Sequence, residues 1–428
     1  MSSGLIFLVQ ALAVVALPVV VLRLSGLKGV VPLVVVQVAT GIALGPSLLG
    51  RVAPEFYSLF VNPTSLASLS GIGSVAVLVF GLVTGLHLDP SIFRDHSRTT
   101  SLVAAASVVV PVTLGFLAGY WIIAGHPDEL LAGISAAQLA AAIGICTGVT
   151  ALPVLGAILS EMKLLGHRIG HLALGAAGFN DMTLWILLGA LLTATAGKAP
   201  GGPGVAVSLL SVPVYLLAML LVVRPLLGAL INARLQNGEV QERALAVVGA
   251  VTIASAIATE TIGLHYILGA FVTGVVMPEH LRKPILDRLQ GMTLTLLMPF
   301  FFVLTGMRTL IDTGSSTFFE IFIVSTVVAV IGKVGGSAIA ARCTGESWLF
   351  SWALGALLQT KGLMEVIVLT ILLDAKIISV TMFSALVLMA LVSTALAMPL
   401  ARVMLAQEAK RERSTPVTAL AGGQIRQP

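Results

Sequence analysis

Four ionisable side chains stand where a polypeptide rarely tolerates them: Asp181, Lys333, Lys361 and Glu365 all lie inside long apolar runs. A charge held in hydrocarbon is costly, so each is a candidate for ion or proton chemistry by default. Asp181 falls close to the middle of GHRIGHLALGAAGFNDMTLWILLGALLTA, with Asn180 beside it and turned about 100° around the helix. Upstream, Gly175, Ala176, Ala177 and Gly178 are small enough to admit a neighbouring helix. A carboxylate can hold a cation or exchange a proton, whereas a purely structural hydrogen bond at that depth is met more cheaply by Ser or Asn. Lys333, in VVAVIGKVGGSAIAA, is too deep to snorkel easily to water, and Asp181 is the main carboxylate at matching depth to serve as its counter-charge. Pairing for structure alone is the alternative.

Two apolar runs are interrupted by polar residues. In ALGALLQTKGLMEVIVLTILL the segment Gln359-Thr360-Lys361-Gly362 suggests a helix unwound in mid-membrane. The first half of a broken helix ends on a negative dipole and the second begins on a positive one. Lys361 sits at the first of these places and Glu365 at the second, so dipole compensation and ion contact are both open roles for them. In AAAIGICTGVTALPVLGAIL, Gly144, Gly148 and Pro153 flank Thr147 and Thr150. Unwound there, carbonyls and hydroxyls would offer the oxygen ligands of an alkali cation. A Pro-kinked helix with its Thr hydroxyls bonded back to the main chain is the alternative.

The elements that must position these groups follow from composition. Of 428 residues, 57% are hydrophobic and 10% charged, against about 25% charged in a soluble domain. The apolar runs are long enough to cross a bilayer core of about 30 Å as helices, which makes an all-α polytopic membrane protein and excludes a β-barrel. Disorder, a disulfide scaffold and a nucleic-acid-binding domain are excluded as well. The net charge of +5 fits basic cytoplasmic loops, and Cys146 and Cys343 are too far apart in sequence to read as a disulfide framework or a metal site. About thirteen spans are expected, at 4–22, 29–46, 66–87, 99–124, 131–158, 168–195, 204–228, 241–262, 264–278, 291–309, 316–341, 348–373 and 377–405. A retained N-terminus outside places 18 of the 24 Lys and Arg on the cytoplasmic side, as the positive-inside rule requires. Residues 1–405 then form one membrane domain, and 406–428 a short polar cytoplasmic tail. The interrupted runs are the fifth and the twelfth spans. If spans 1–6 and 8–13 are halves linked by the seventh, both are fifth in inverted repeats, the arrangement that marks a transporter's mid-membrane site.

These stretches resemble the monovalent cation:proton antiporter-2 family, which includes the plant cation/proton exchangers and the bacterial Kef-type and Nap-type antiporters. The resemblance is carried by TGIALGPSLLG, TALPVLGAILSEMKLLGHRIGHLALGAAGFNDMTLW, IGLHYILGAFVTGVVMP, MPFFFVLTGMRT and QTKGLMEVIVL. It implies a Nap/Nha antiporter-like fold, with a dimerisation part and a core part in which broken helices cross beside an ion-binding aspartate. On that pattern Asp181 falls on the essential carboxylate, and Asn180 where many electrogenic members carry a second Asp. Lys333 falls on the basic partner, and Thr150 in the unwound segment; Arg308 matches a basic position found in part of the family.

The expected activity is exchange of protons for Na⁺ or K⁺ by alternating access, at a site of Asp181, Asn180, Thr150 and Thr147. Lys333 is the expected charge partner, with Gln359, Lys361 and Glu365 in the second break. A homodimer in a bacterial inner membrane is expected, with no cofactor, no metal and no nucleic acid. A cation channel or uniporter on the same scaffold is the main rival. An enzyme is not favoured: an aspartyl protease needs two facing Asp and a zinc protease HExxH, which the sequence lacks.

Overall fold

A backbone in hydrocarbon has no water to bond, so each long apolar run must satisfy its own N–H and C=O groups as a helix. The computed structural model of the chain describes residues 3–26, 31–61, 63–87, 98–165, 167–196, 205–232, 235–236, 239–240, 242–262, 264–312 and 314–414. Helices α1 (Ser3–Leu24), α2 (Leu33–Leu44), α3 (Leu49–Val52), α4 (Pro54–Phe60) and α5 (Pro63–His87) open the chain. They are followed by α6 (Arg98–Gly125), α7 (Ala136–Gly148), α8 (Leu152–Glu161), α9 (Arg168–Ala196), α10 (Val205–Ala218) and α11 (Arg224–Asn232). Next come α12 (Glu242–Thr261), α13 (Tyr266–Val276), α14 (Glu279–Met292), α15 (Met298–Arg308), α16 (Ser316–Val330) and α17 (Gly336–Cys343). The last are α18 (Trp348–Leu358), α19 (Gly362–Asp374) and α20 (Val380–Ser414). A two-residue hairpin, Leu235 opposite Val240 and Gln236 opposite Glu239, is the only strand pairing among the described residues.

Single π-helical turns at Met219–Val223, Thr293–Leu297 and Ile331–Gly335 join α10 to α11, α14 to α15 and α16 to α17. Among the described residues, ten helices are long and apolar enough to cross a membrane, and each overlaps one of the expected spans, although Glu279–Arg308 starts well before the expected 291–309. The other three expected segments fall on shorter helices: 131–158 on α7 and α8, 264–278 on α13, and 348–373 on α18 and α19. The expected tail from 406 begins as helix, because Ala406 to Arg413 are good helix formers that carry α20 on to Ser414. Residues 415–428 lie outside the described residues.

Two packed parts can be distinguished. In one, α6 lies against α7, α9, α16 and α17, while α20 lies against α16, α18 and α19. In the other, α2 packs on α15 and α5 on α13 through a repeated device. A β-carbon on Gly41 would sit 2.1 Å from the Val303 carbonyl oxygen, and one on Gly306 2.2 Å from that of Val38. At the second crossing, Gly85 and Gly274 approach the Phe271 and Leu82 carbonyls to 2.1 and 2.3 Å on the same construction. Only glycine allows such backbone contact. Each of these four glycines follows a threonine, and Thr40, Thr84, Thr273 and Thr305 all bond back to a carbonyl four residues earlier. The same Thr-Gly step thus recurs in the second, third, ninth and tenth spans, as two inverted halves would place it.

Candidate ion site at the crossing of two interrupted helices

Both expected interruptions are present. Helix α7 stops at Gly148, Val149 turns extended (φ −63°, ψ 141°), and α8 restarts at Leu152. Helix α18 stops at Leu358 and α19 restarts at Gly362, whose φ of +47° suits glycine. A β-carbon there would also press on Val154 at 2.9 Å. The two unwound stretches are bonded to each other. The Ala151 N–H donates to the Thr360 carbonyl at 2.8 Å, and the Thr150 hydroxyl donates to the Leu358 carbonyl at 3.0 Å.

The carbonyl end of α7 gathers both lysines. The last carbonyls of a helix lack intrahelical donors and carry its negative dipole end, so they attract cations. Lys361 donates to the Cys146 and Thr147 carbonyls at 2.6 and 3.0 Å, and its Nζ lies 3.5 Å from Glu365 Oε2. Lys333 donates to the Gly148 carbonyl. Both lysines and Glu365 are fully buried. Lys333 thus bonds the carbonyl end of α7 while lying close enough to Asp181 for the two charges to act on each other. Lys361 reaches the end of the other interrupted helix rather than that of its own first half. Lys333 also sits in a π-helical turn, and the neighbouring Gly332 lets that turn approach Pro111 of α6 so closely that a β-carbon would lie 2.7 Å from the Pro111 Cα.

Asp181 lies in the middle of α9, 1% exposed, and neither carboxyl oxygen has a hydrogen-bond partner. It faces the backbone N–H of Leu152, the first residue of α8, without reaching hydrogen-bond geometry. Its neighbour Asn180 is by contrast fully engaged. The Asn180 amide donates to Thr150 Oγ1 at 2.9 Å and accepts from the Ser107 hydroxyl at 3.1 Å. Thr150 is thereby held between α9 and α18. Thr147 takes the back-bonded alternative, its hydroxyl within reach of the Pro111 and Gly144 carbonyls at 2.9 and 2.8 Å. Gln359 is buried with both amide atoms unpartnered.

Three contributors were not singled out from sequence. Ser107 orients Asn180, and Thr394 of α20 bonds the start of α19. Trp185, one turn beyond Asp181, is buried with its indole N–H unpartnered and stacks on Phe271 of α13 at 4.9 Å. Isolated Ser, Thr and Trp residues are ordinary in membrane helices, so nothing local marked them.

Residues 11–405 match the sequence model of the family described as sodium/hydrogen exchanger, transmembrane. The chain belongs to that family. Among similar proteins, Cation/H(+) antiporter 19 of Arabidopsis thaliana is 32% identical over 374 residues, covering 86% of this chain and 46% of that one. Na(+)/H(+) antiporter NhaS4 of Synechocystis sp. is 28% identical, covering 91% of this chain and 96% of that one. K(+)/H(+) antiporter 1 of Saccharomyces cerevisiae is 28% identical over 87% of this chain and 43% of its own length. The chain spans about half the length of the plant relatives it matches. The fold is shared with the sodium proton antiporter MjNhaP1 of Methanocaldococcus jannaschii, at TM-score 0.67 and 11% identity, over 96% of this chain and 99% of that one. Family membership and apolar helices together make this a multi-pass integral membrane protein.

Proposed function

We propose that this family member exchanges protons for Na⁺ or K⁺, and that Asp181 is the group at which the two ions compete. The observation that carries this reading is the Asp181 carboxyl, buried in mid-helix with both oxygens unpartnered beside the crossing of α7–α8 and α18–α19. A buried carboxyl group that no protein donor claims is free to take either a proton or a cation. Further oxygen ligands would come from the unwound stretch that carries Thr150, which is bonded to the neighbouring Asn180. Lys333, bonded to the Gly148 carbonyl, tunes the site without being carried. The names of the similar antiporters support exchange of this class, and they include both Na⁺ and K⁺ proteins.

Alternating access then moves the part holding Asp181 against the part holding Phe271. The Trp185–Phe271 stack joins the two, as does the Arg308–Asp374 ion pair at 3.6 Å between α15 and α19. The orientation proposed is N-terminus outside and C-terminus cytoplasmic in a bacterial inner membrane, with two copies forming a dimer.

The test is a cation screen in proteoliposomes. Adding Na⁺ or K⁺ to one side should move protons the other way, and Li⁺ and Rb⁺ should rank the selectivity. Cation movement with no linked proton movement would establish the channel or uniporter instead. Asn180 is neutral and already bonded on both sides, leaving one exchangeable carboxyl. One proton then replaces one cation, so the rate should not change when membrane potential is clamped at different values under fixed ion gradients. A rate that follows the potential rejects this stoichiometry.

A further inference from the structure

The start of a helix leaves N–H groups without acceptors, and inside a membrane each must be met by a neighbour. Helix α19 has no cap of its own: Lys361, at the N-cap position, makes no side-chain capping bond. The acceptor comes from another helix. The Thr394 hydroxyl of α20 accepts from the Gly362 N–H at 2.8 Å and from the Lys361 N–H at 3.2 Å, and donates its own hydrogen to the Ala390 carbonyl at 2.7 Å. Thr394 is fully buried, and three hydrogen bonds use its oxygen and its hydrogen completely.

This position answers to Asp181 in the other half of the molecule. Leu152 opens α8 as Gly362 opens α19, and the sixth helix of each half turns a side chain toward that N–H, Asp181 from α9 and Thr394 from α20. The pairs Asn180-Asp181 and Ser393-Thr394 occupy matching places. One half offers an unbonded carboxyl and the other a saturated hydroxyl.

We propose that Thr394 is a positioning residue for ion exchange: by fixing the break before α19 it holds the Lys361 ammonium on the carbonyl end of α7. The chain of contacts is short. Thr394 bonds the Lys361 N–H, the Lys361 ammonium bonds the Cys146 and Thr147 carbonyls, and Lys333 takes the next carbonyl, Gly148. Releasing the break lets Lys361 leave α7, and the charge balance at the end of α7, beside the Asp181 site, changes with it. This rests on the antiport reading above.

The experiment compares wild type, Thr394→Val and Thr394→Ser in proteoliposomes at equal reconstituted amounts, measuring half-saturating cation concentration and the pH profile. Valine keeps the shape and removes the hydroxyl; serine keeps the hydroxyl. Loss of a helix cap costs roughly 0.5–2 kcal/mol, so the Val variant should raise the half-saturating concentration by about twofold to thirtyfold and shift its pH profile, with Ser close to wild type. Combined with Lys361→Gln, the Val substitution should add little further change, because both act through the same ammonium. Should Val fail to reconstitute, Thr394→Ala takes its place. An unchanged half-saturating concentration and pH profile without the hydroxyl, equal loss in the Ser variant, or fully additive effects with Lys361→Gln each overturn the proposal. Absence of exchange in wild type would instead count against the antiport reading.

Discussion

The two interrupted helices are built alike and finished differently. At α18–α19 the restarting helix meets the Thr394 hydroxyl, which accepts its first N–H groups; at α7–α8 the matching N–H faces Asp181, whose oxygens fall short of hydrogen-bond geometry. A saturated hydroxyl fixes a backbone, while an unbonded carboxyl leaves capacity for a ligand. On the proposed reading, one half of the inverted pair is a strut and the other carries the ion chemistry. It also separates the two lysines. Lys361 is held by two carbonyls and a carboxylate, Lys333 by a single carbonyl.

The largest effect is expected at Asp181. Asp181→Asn keeps size and hydrogen bonding but removes the exchangeable proton and full charge, and should abolish cation-driven proton flux while the protein still inserts and purifies. Asp181→Glu keeps the carboxyl one methylene away and should leave reduced flux with altered apparent cation affinity. Proton flux from matched proteoliposomes decides both, and wild-type exchange by the Asn variant would move the site elsewhere, Glu365 first.

Removing the lysine held by a single carbonyl should have a smaller, directional effect. Lys333→Gln deletes a positive charge that favours the ionised carboxyl, so cation-competent sites appear only at higher pH, and the exchange optimum should move up by about one unit. Lys333→Arg keeps the charge and should retain more activity, although its planar head meets the Gly148 carbonyl differently. A Gln variant with the wild-type pH profile would show that the lysine does not act on the site.

The smallest effect is expected at the far end of α19. Arg308 and Asp374 are each about half exposed (48% and 52% of their side chains), so their ion pair is screened and worth roughly 0.5 kcal/mol. Arg308→Gln should alter the exchange rate by less than about threefold. A larger loss would mean that this contact between the two parts limits their movement.

Much of this was legible in the sequence because polar residues in apolar runs are conspicuous. Asp181, Lys333, Lys361 and Glu365 needed no structure to be noticed, and the punctuation at Gly148-Val149-Thr150 and Gln359-Thr360-Lys361 located both breaks. What the sequence did not disclose was the partner of each group. Lys333 and Lys361 both reach α7, a helix far away in the chain, and hydropathy says nothing about which carbonyls a lysine will find. The repeat was legible only in the matching places of the two breaks. The Thr-Gly pairs at 40–41, 84–85, 273–274 and 305–306 did not mark it, because such small residues recur throughout membrane helices.

The π-helical turn at Ile331–Gly335 has a consequence for the spacing of the chain. A wide turn accommodates one residue more than a regular helix would, so it acts as a phase shift of about 100° between α16 and α17. The row of side chains that faces one neighbour along α16 is therefore not the row that faces it along α17, and Lys333, set inside the turn, is aimed at the Gly148 carbonyl from the residue where the two phases meet.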